Sequence, residues 1–311
     1  MIEKRVLIGE EYPLKGLLTF PDSKTAPFPA IVLVHGSGSH DMDETIYKVK
    51  PFKDLAAGLA EHGIATLRYD KRSKIYGKKM VKALGSSMTV KEEAIEDAIF
   101  AADLLRKDPR IDPNRIYIAG HSLGGALAPR IDKEGGNFAG LIIMAGSPRK
   151  LEEIVKKQGT DYLKNAKGII KWIATKQINK MAQKLTNIYD LTDEEAKNTP
   201  FAGGTSLYYL KEMGENASMD YLATIDKPVF VIQGEMDVQV LVKEDFEGYK
   251  EILADNPHAT FKLYPNLNHC FMPTTNQDIT KALKEYKKEQ HVEPYVIADI
   301  AEWVKGQGEA E

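Results

Sequence analysis

The residues with the clearest chemical potential form the segment Gly120-His121-Ser122-Leu123-Gly124, between a predicted strand and a predicted helix. This is the pattern G-x-S-x-G. A sharp turn from strand to helix holds a serine side chain out from the sheet, at a helix N-terminus that favours negative charge. Only small residues fit beside the serine in such a turn, which accounts for the two glycines. The segment therefore predicts Ser122 as a nucleophile.

A serine hydroxyl needs a base, and the base needs an acid that orients it. His269 lies in the loop after an apolar strand predicted over residues 259–264, and that loop returns to the sheet edge where Ser122 is expected. Asp237 follows the preceding predicted strand, and Glu235 on the same loop is the alternative acid. The chain order of nucleophile, acid and base suits a triad of Ser122, Asp237 and His269.

Acyl transfer also needs N–H donors for the oxyanion of its tetrahedral intermediate. We expect one donor to be the backbone N–H of Leu123, the residue after the nucleophile. The other is expected to be the N–H of Ser37, in the glycine-rich loop after the strand that ends at His35. Gly36 and His121 are expected to contact the substrate. The loop shows neither G-x-G-x-x-G nor a Walker lysine, which argues against a bound nucleotide.

Alternating strand and helix patterns surround these motifs. Strands are predicted over 29–35, 64–69, 116–119 and 139–145, with helices over 52–62 and 89–107 between them. Continuous apolar strands joined by helices are typical of a parallel, doubly wound α/β sheet. Two short strands, 6–9 and 14–20, are expected to add an antiparallel edge. The sheet resumes with strands at 228–233 and 259–264, and a last helix covers 294–305.

Residues 148–221 interrupt this alternation with predicted helices and no convincing strand. We therefore expect an α/β core formed by residues 1–147 and 222–311, with 148–221 as a helical insertion. The insertion leaves the sheet just past the carboxyl end of a strand, where ligands bind in open α/β sheets. This position favours a cap, or lid, over the site. A decorative surface insert is the alternative interpretation.

Composition limits the possible partners and compartments. The chain has 311 residues and a formal net charge of −3, which favours neither nucleic acid nor a membrane surface as partner. One cysteine, Cys270, allows neither an intrachain disulfide nor a cysteine-based zinc cluster. No signal peptide or transmembrane span is predicted, so a cytoplasmic monomer or homodimer without membrane insertion is expected. No metal or cofactor is expected either.

Together the motifs resemble the α/β-hydrolase superfamily over nearly the whole chain. The nearer resemblance is to bacterial carboxylesterases with a dienelactone-hydrolase-like or serine-aminopeptidase-like core. It is carried by residues 33–38, 41–45, 67–72 and 120–125 and by the two downstream loops. The resemblance implies a mostly parallel eight-stranded sheet with helices on both faces, a helical cap and esterase chemistry. Dienelactone hydrolases use a cysteine nucleophile, so their substrate does not transfer to a chain with Ser122.

The residues and the resemblance both predict a serine hydrolase that cleaves small carboxylic esters through an acyl-enzyme. His269 would take and return the proton of Ser122, and Asp237 would orient the imidazole. Short acyl chains are expected because a cap limits the space for longer ones. A thioesterase, serine peptidase or acyltransferase with the same machinery remains an alternative. A non-catalytic binding protein on this fold is the alternative from another class.

Overall fold

The computed structural model describes residues 1–23, 25–201 and 204–308. Its strands are β1 (Ile2–Ile8), β2 (Leu14–Phe20), β3 (Phe28–Val34), β4 (Ala65–Tyr69), β5 (Ile111–His121), β6 (Leu141–Met144), β7 (Val229–Gly234) and β8 (Ala259–Tyr264). They form one sheet in the order β1-β2-β4-β3-β5-β6-β7-β8. β2 pairs antiparallel with β1 and β4, and all other pairs are parallel. The prediction of a mostly parallel eight-stranded sheet is confirmed.

Helices cover both faces and the carboxyl edge of this sheet. They are α1 (Pro51–Glu61), α2 (Arg72–Leu84), α3 (Glu96–Arg106), α4 (Leu123–Ile131), α5 (Leu151–Asn165), α6 (Gly168–Lys184), α7 (Asp193–Lys197), α8 (Leu207–Glu215), α9 (Ser218–Leu222), α10 (Glu247–Ile252), α11 (Ala282–Glu285) and α12 (Pro294–Gly306). Among the residues described, no helix is long and apolar enough to cross a lipid bilayer.

The core consists of two apolar layers, one on each face of the sheet. Alternate residues of β3 pack in opposite layers. Val32 packs in the layer with α3 and α4, and Leu33 packs in the layer with α1 and α12. Every residue of β3 is buried, as the continuous apolar run predicts. Each such aliphatic side chain contributes about 1.5–3 kcal/mol on burial. The carboxyl ends of the central strands are therefore fixed from both sides.

The segment between β6 and β7 contains helices α5 to α9. Thr192 and Glu195 form a capping box at the start of α7, each side chain bonded to the other residue's backbone N–H. Helix α6 stops at Lys184. A separate single turn of 3₁₀ helix follows at residues 188–190.

Helix α2 is missing from the sequence prediction. It contains four lysines, and only Arg72 and Met80 are buried. A helix that buries so little lacks the apolar stripe on which periodicity depends. Arg72 holds the helix start instead, through ion pairs with Glu96 and with Asp97. The ion pairs of Arg72 therefore fix the loop after β4.

Candidate active site

Ser122 lies in a strained turn between β5 and α4. Its backbone angles are φ 54° and ψ −116°, and a positive φ in a non-glycine residue is a costly conformation found mainly at functional sites. A Cβ on Gly120 would lie 2.1 Å from the carbonyl oxygen of Gly124, and one on Gly124 would lie 2.2 Å from that of Val34. Glycine is therefore required at both positions. The Ser122 N–H donates to the carbonyl of Met144 at 2.8 Å, which ties the turn to β6.

Asp237 and His269 form a direct side-chain hydrogen bond. His269 Nδ1 lies 2.6 Å from Asp237 Oδ2, and both residues are buried. The second carboxylate oxygen of Asp237 accepts the backbone N–H groups of Gln239 at 2.8 Å and Val240 at 3.1 Å. These bonds fix the position of the Asp237 carboxylate. The carboxylate in turn orients the imidazole of His269 so that Nδ1 faces Asp237 and Nε2 is left for another partner.

Glu235, the alternative acid, is exposed. The structure brings Asp237 rather than Glu235 to the base. Ser122 and His269 line the same pocket, so the three residues of the predicted triad meet at one place. Their catalytic roles remain predictions at this point.

The two amides expected to bind an oxyanion flank Ser122. Ser37 and Leu123 both line a pocket with the serine. Among the described residues, neither backbone N–H donates a hydrogen bond within the protein. Leu123 is the first residue of α4, so its N–H has no partner inside the helix. Both donors are therefore available to a ligand at the serine.

Glu44 and Lys71 hold the loop that carries Ser37. Glu44 Oε1 accepts the Gly36 N–H at 2.7 Å, and Lys71 Nζ donates to the Gly36 carbonyl at 2.9 Å. Lys71 also pairs with Glu93 at 3.1 Å. Both backbone groups of Gly36 are thus engaged, and a Cβ on Gly36 would lie 3.1 Å from the Cβ of Ser122. Gly36 therefore approaches the serine closely. Its contact with substrate stays a prediction.

His121 links three loops of the site. Its Nδ1 lies 3.0 Å from Glu44 Oε2, and its Nε2 donates to the backbone carbonyl of His269 at 3.0 Å. Burial acts to lower the pKa of His121, but the Glu44 carboxylate outweighs burial and leaves that pKa raised. Burial acts to raise the pKa of Glu44, and His121 reverses this, lowering it to about 2.

Both ring nitrogens of His121 are therefore occupied by the protein, in a buried ion pair. The expected substrate contact of His121 remains a prediction. The geometry favours a structural role, in which the side chain connects the loops of Gly36 and His269 from behind the serine.

Two adjoining pockets meet at Ser122. The first, of about 240 Å³, has many polar residues in its lining, among them Ser37, Glu44, His121, Gln239, His269 and Tyr286, together with Gly36. The second, of about 310 Å³, is mostly apolar, and its lining includes Leu123, Ala126, Leu151, Ile154, Val155, Met213 and Val240.

The sequence analysis missed Gln158, which lines both pockets. Gln158 lies on α5, and its Nε2 donates to the carbonyl of Gln239 at 2.8 Å. This bond joins the insertion to the loop that carries Asp237. A glutamine on an amphipathic helix carries no signal of such a contact, because its partner is 81 residues away.

Within the described residues, no group of three or more His, Cys, Asp or Glu side chains is placed to hold a metal ion. Cys270, next to His269, is buried. Burial raises the pKa of its thiol well above the ordinary value. A protonated, enclosed thiol is unreactive, which agrees with its interpretation as a small apolar residue.

The fold and this site define a class. The sequence matches the model of the Alpha/beta hydrolase family over residues 31–282. The chain belongs to that family. The resemblance noted from the motifs is confirmed.

Individual proteins with known names are similar to the chain. It is 33% identical to esterase EstD of Thermotoga maritima over 292 residues, which cover 94% of this chain and 65% of EstD. The chain thus spans somewhat less than two thirds of the length of that relative. Among solved structures, Est1E from Butyrivibrio proteoclasticus has a TM-score of 0.55 at 16% identity, covering 96% of this chain and 99% of Est1E. Proline iminopeptidase of Mycobacterium smegmatis has a TM-score of 0.60 at 14% identity, covering 98% of each chain.

Proposed function

We propose that this protein is a serine esterase that hydrolyses short-chain carboxylic esters. The observation that carries the proposal is the 2.6 Å bond between His269 Nδ1 and Asp237 Oδ2, beside a strained Ser122 in the same pocket. Likeness to a protein named as an esterase, EstD, supports ester hydrolysis in particular.

In the first half-reaction, Ser122 Oγ attacks the ester carbonyl and its proton passes to His269. Because Asp237 engages Nδ1, Nε2 is the nitrogen that accepts this proton. The carbonyl oxygen becomes negatively charged, and the free N–H groups of Ser37 and Leu123 are the donors available to it. The imidazolium then protonates the leaving alkoxide, and an acyl group remains on the serine.

In the second half-reaction, His269 takes a proton from water, which attacks the acyl carbon. The same two amides stabilise the second tetrahedral intermediate. Proton return to Ser122 Oγ releases the carboxylic acid and restores the starting state. Besides the ester and one water molecule, every group in these two steps belongs to the chain.

The apolar pocket supports a preference for short acyl chains. Its volume of about 310 Å³ is at the low end for ligand sites. Leu151, Ile154 and Val155 of α5 form part of its wall, so the insertion of residues 148–221 contributes directly to the pocket. We propose on this basis that the insertion is a cap rather than a decoration.

The test is hydrolysis of a panel of p-nitrophenyl esters, acyl thioesters and aminoacyl p-nitroanilides by the purified chain and by Ser122→Ala. We expect turnover of esters with acyl chains of about two to six carbons and loss of on the order of 10⁴-fold in kcat in the variant. Preference for the anilides would replace the proposal with a peptidase, and preference for thioesters with a thioesterase. No turnover of any substrate would favour the binding protein.

A further inference from the structure

The hairpin formed by α5 and α6 ends in an exposed apolar tip, residues 164–173. Ile169 is 74% exposed, Ile170 59%, Trp172 68% and Ile173 45%. All four lie in the first two turns of α6, directly after the link between the helices. Scattered exposed apolar residues are ordinary, but a cluster of large ones marks an interaction surface.

The same part of the hairpin is strongly cationic. Residues 163–189 contain six lysines and no aspartate or glutamate: Lys164, Lys167, Lys171, Lys176, Lys180 and Lys184. Lys164 pairs with Asp161 at 2.7 Å, and Lys184 donates to the carbonyl of Pro200 at 2.8 Å. In the described ranges, the side chains of the four lysines between them have no hydrogen-bond or ion-pair partner. The net charge of −3 for the whole chain conceals this local excess.

The two sides of α6 are different. Successive helical residues turn by about 100°, which places Ile169 and Ile173 on one side together with two of the unpaired lysines, Lys176 and Lys180. On the other side, Ile178 approaches α5 at Gly159, where a Cβ would lie 3.0 Å from the isoleucine Cγ2. The outward side is therefore apolar near the tip and basic beyond it. Helices that bind at a membrane surface combine large apolar side chains with lysines, and tryptophan lies at the level of the headgroups.

We propose that the hairpin tip and the lysines of α6 dock this protein on an anionic lipid bilayer. The apolar side chains would enter the boundary between headgroups and acyl chains, and the unpaired lysines would lie against the phosphates. Each lysine near such a surface strengthens binding by about five-fold. Docking of this kind is peripheral and reversible, and it needs no spanning helix.

Charge favours lipid over a second copy of the chain. A symmetric contact through this face would bring Lys176 and Lys180 of each copy together, and no acidic residue between 163 and 189 could compensate them. An anionic bilayer supplies negative charge over the whole face and accepts isoleucine and tryptophan below it.

Docking would also affect the site, because the hairpin forms part of it. Leu151, Ile154, Val155 and Gln158 of α5 line the pockets beside Ser122. A bilayer bound by the hairpin would thus be connected to the pocket wall through α5. The docking itself does not rest on the proposed esterase function and is measured without any substrate.

The experiment is co-sedimentation of the full chain with vesicles of phosphatidylcholine alone and of phosphatidylcholine with about 30% phosphatidylglycerol. Tryptophan fluorescence is recorded in parallel. The chain has two tryptophans, and Trp303 is only 9% exposed, so Trp172 is the one whose emission should shift to the blue on binding. The variant Trp303→Phe isolates that signal.

Two variants test the two parts of the surface, and one serves as the matched control. Lys176→Gln with Lys180→Gln removes charge, and Trp172→Ser removes apolar contact. The control combines Ile75→Ser with Lys82→Gln on α2, where both side chains are also exposed.

We expect the unaltered chain to bind the anionic vesicles and not the neutral ones, with loss of binding at about 0.5 M salt. The double lysine variant should lose about 25-fold in partitioning and the tryptophan variant about 10-fold, while the control binds like the unaltered chain. The proposal is overturned if the unaltered chain ignores anionic vesicles or if both tip variants still bind fully. It is also overturned if the tip variants convert a dimer to a monomer in sedimentation velocity, which would identify a second copy as the occupant.

Discussion

Replacing Glu44 by glutamine should destabilise the protein in a pH-dependent way. The glutamine keeps an oxygen for the Gly36 N–H, but it removes the charge 3.0 Å from His121 Nδ1. Both partners are buried, and breaking a buried ion pair by removing one partner costs about 3–5 kcal/mol. At roughly 2 °C per kcal/mol for a chain of this size, the Tm should fall by about 6–10 °C where the pair is fully charged.

The pKa shifts give the pH range of this effect. The raised pKa of His121 contributes stability that is complete below the ordinary value of 6.5 and is lost as the pH rises through the folded value. The lowered pKa of Glu44 contributes stability that is complete above 4.5 and is lost as the pH falls toward about 2. The pair therefore stabilises the fold most between pH 4.5 and 6.5. In Glu44→Gln the loss should shrink to about 1 kcal/mol, or about 2 °C, by pH ~9.

The assay is differential scanning calorimetry of both proteins across this pH range. Asp54→Asn is the matched control, because Asp54 lies 3.1 Å from His291 Nδ1 in a pair whose histidine is 70% exposed. That pair should contribute less than about 1 kcal/mol at any pH. A Tm difference for Glu44→Gln that stays constant from pH ~5.5 to ~9, or widens toward alkaline pH, would show that the contact is not an ion pair.

Three further predictions concern activity on a short-chain p-nitrophenyl ester. Asp237→Asn should lower kcat by on the order of 10⁴-fold, because the imidazole takes the wrong tautomer. The kcat of Glu235→Gln should stay near normal because Glu235 is exposed, and the reverse result would make Glu235 the acid. Val155→Trp should fill the apolar pocket and lower kcat/KM for longer acyl chains by about four-fold per excluded methylene, and an unchanged chain-length profile would remove Val155 from the acyl site. Gln158→Ala should loosen α5 and raise KM several-fold with kcat nearly unchanged, because one hydrogen bond contributes about 1 kcal/mol. Unaltered steady-state kinetics would mean that the Gln158 bond does not position the pocket wall.

The sequence predicts the strands that carry the site because local patterns determine them. A continuous apolar run requires burial on both faces, as in β3, and Gly120 is required by a contact with Gly124, four residues along the turn. The loops of Asp237 and His269 follow strands that were equally clear. The bond from the Gly36 N–H to Glu44 is also local, since the two residues are eight positions apart.

The sequence does not reveal features that depend on how distant segments dock. The side of α5 that turns toward Ser122, and with it Gln158, depends on how the insertion packs on the core. The inward orientation of His121 depends on Glu44, 77 positions earlier in the chain. Helix α2 was not predicted for a different reason. Its surface is solvated and rich in lysine, so its sequence shows almost no helical periodicity of apolar residues.

The central claim is that Ser122 is the nucleophile of an acyl-enzyme mechanism, and covalent labelling tests it most directly. The purified chain is treated with a fluorophosphonate, and its intact mass, a peptide map and residual esterase activity are measured together. We predict one adduct per chain, on Ser122, with activity lost in proportion to labelling and no adduct on Ser122→Ala. An unlabelled chain that still hydrolyses esters, or an adduct that persists on Ser122→Ala with activity retained, would contradict the account.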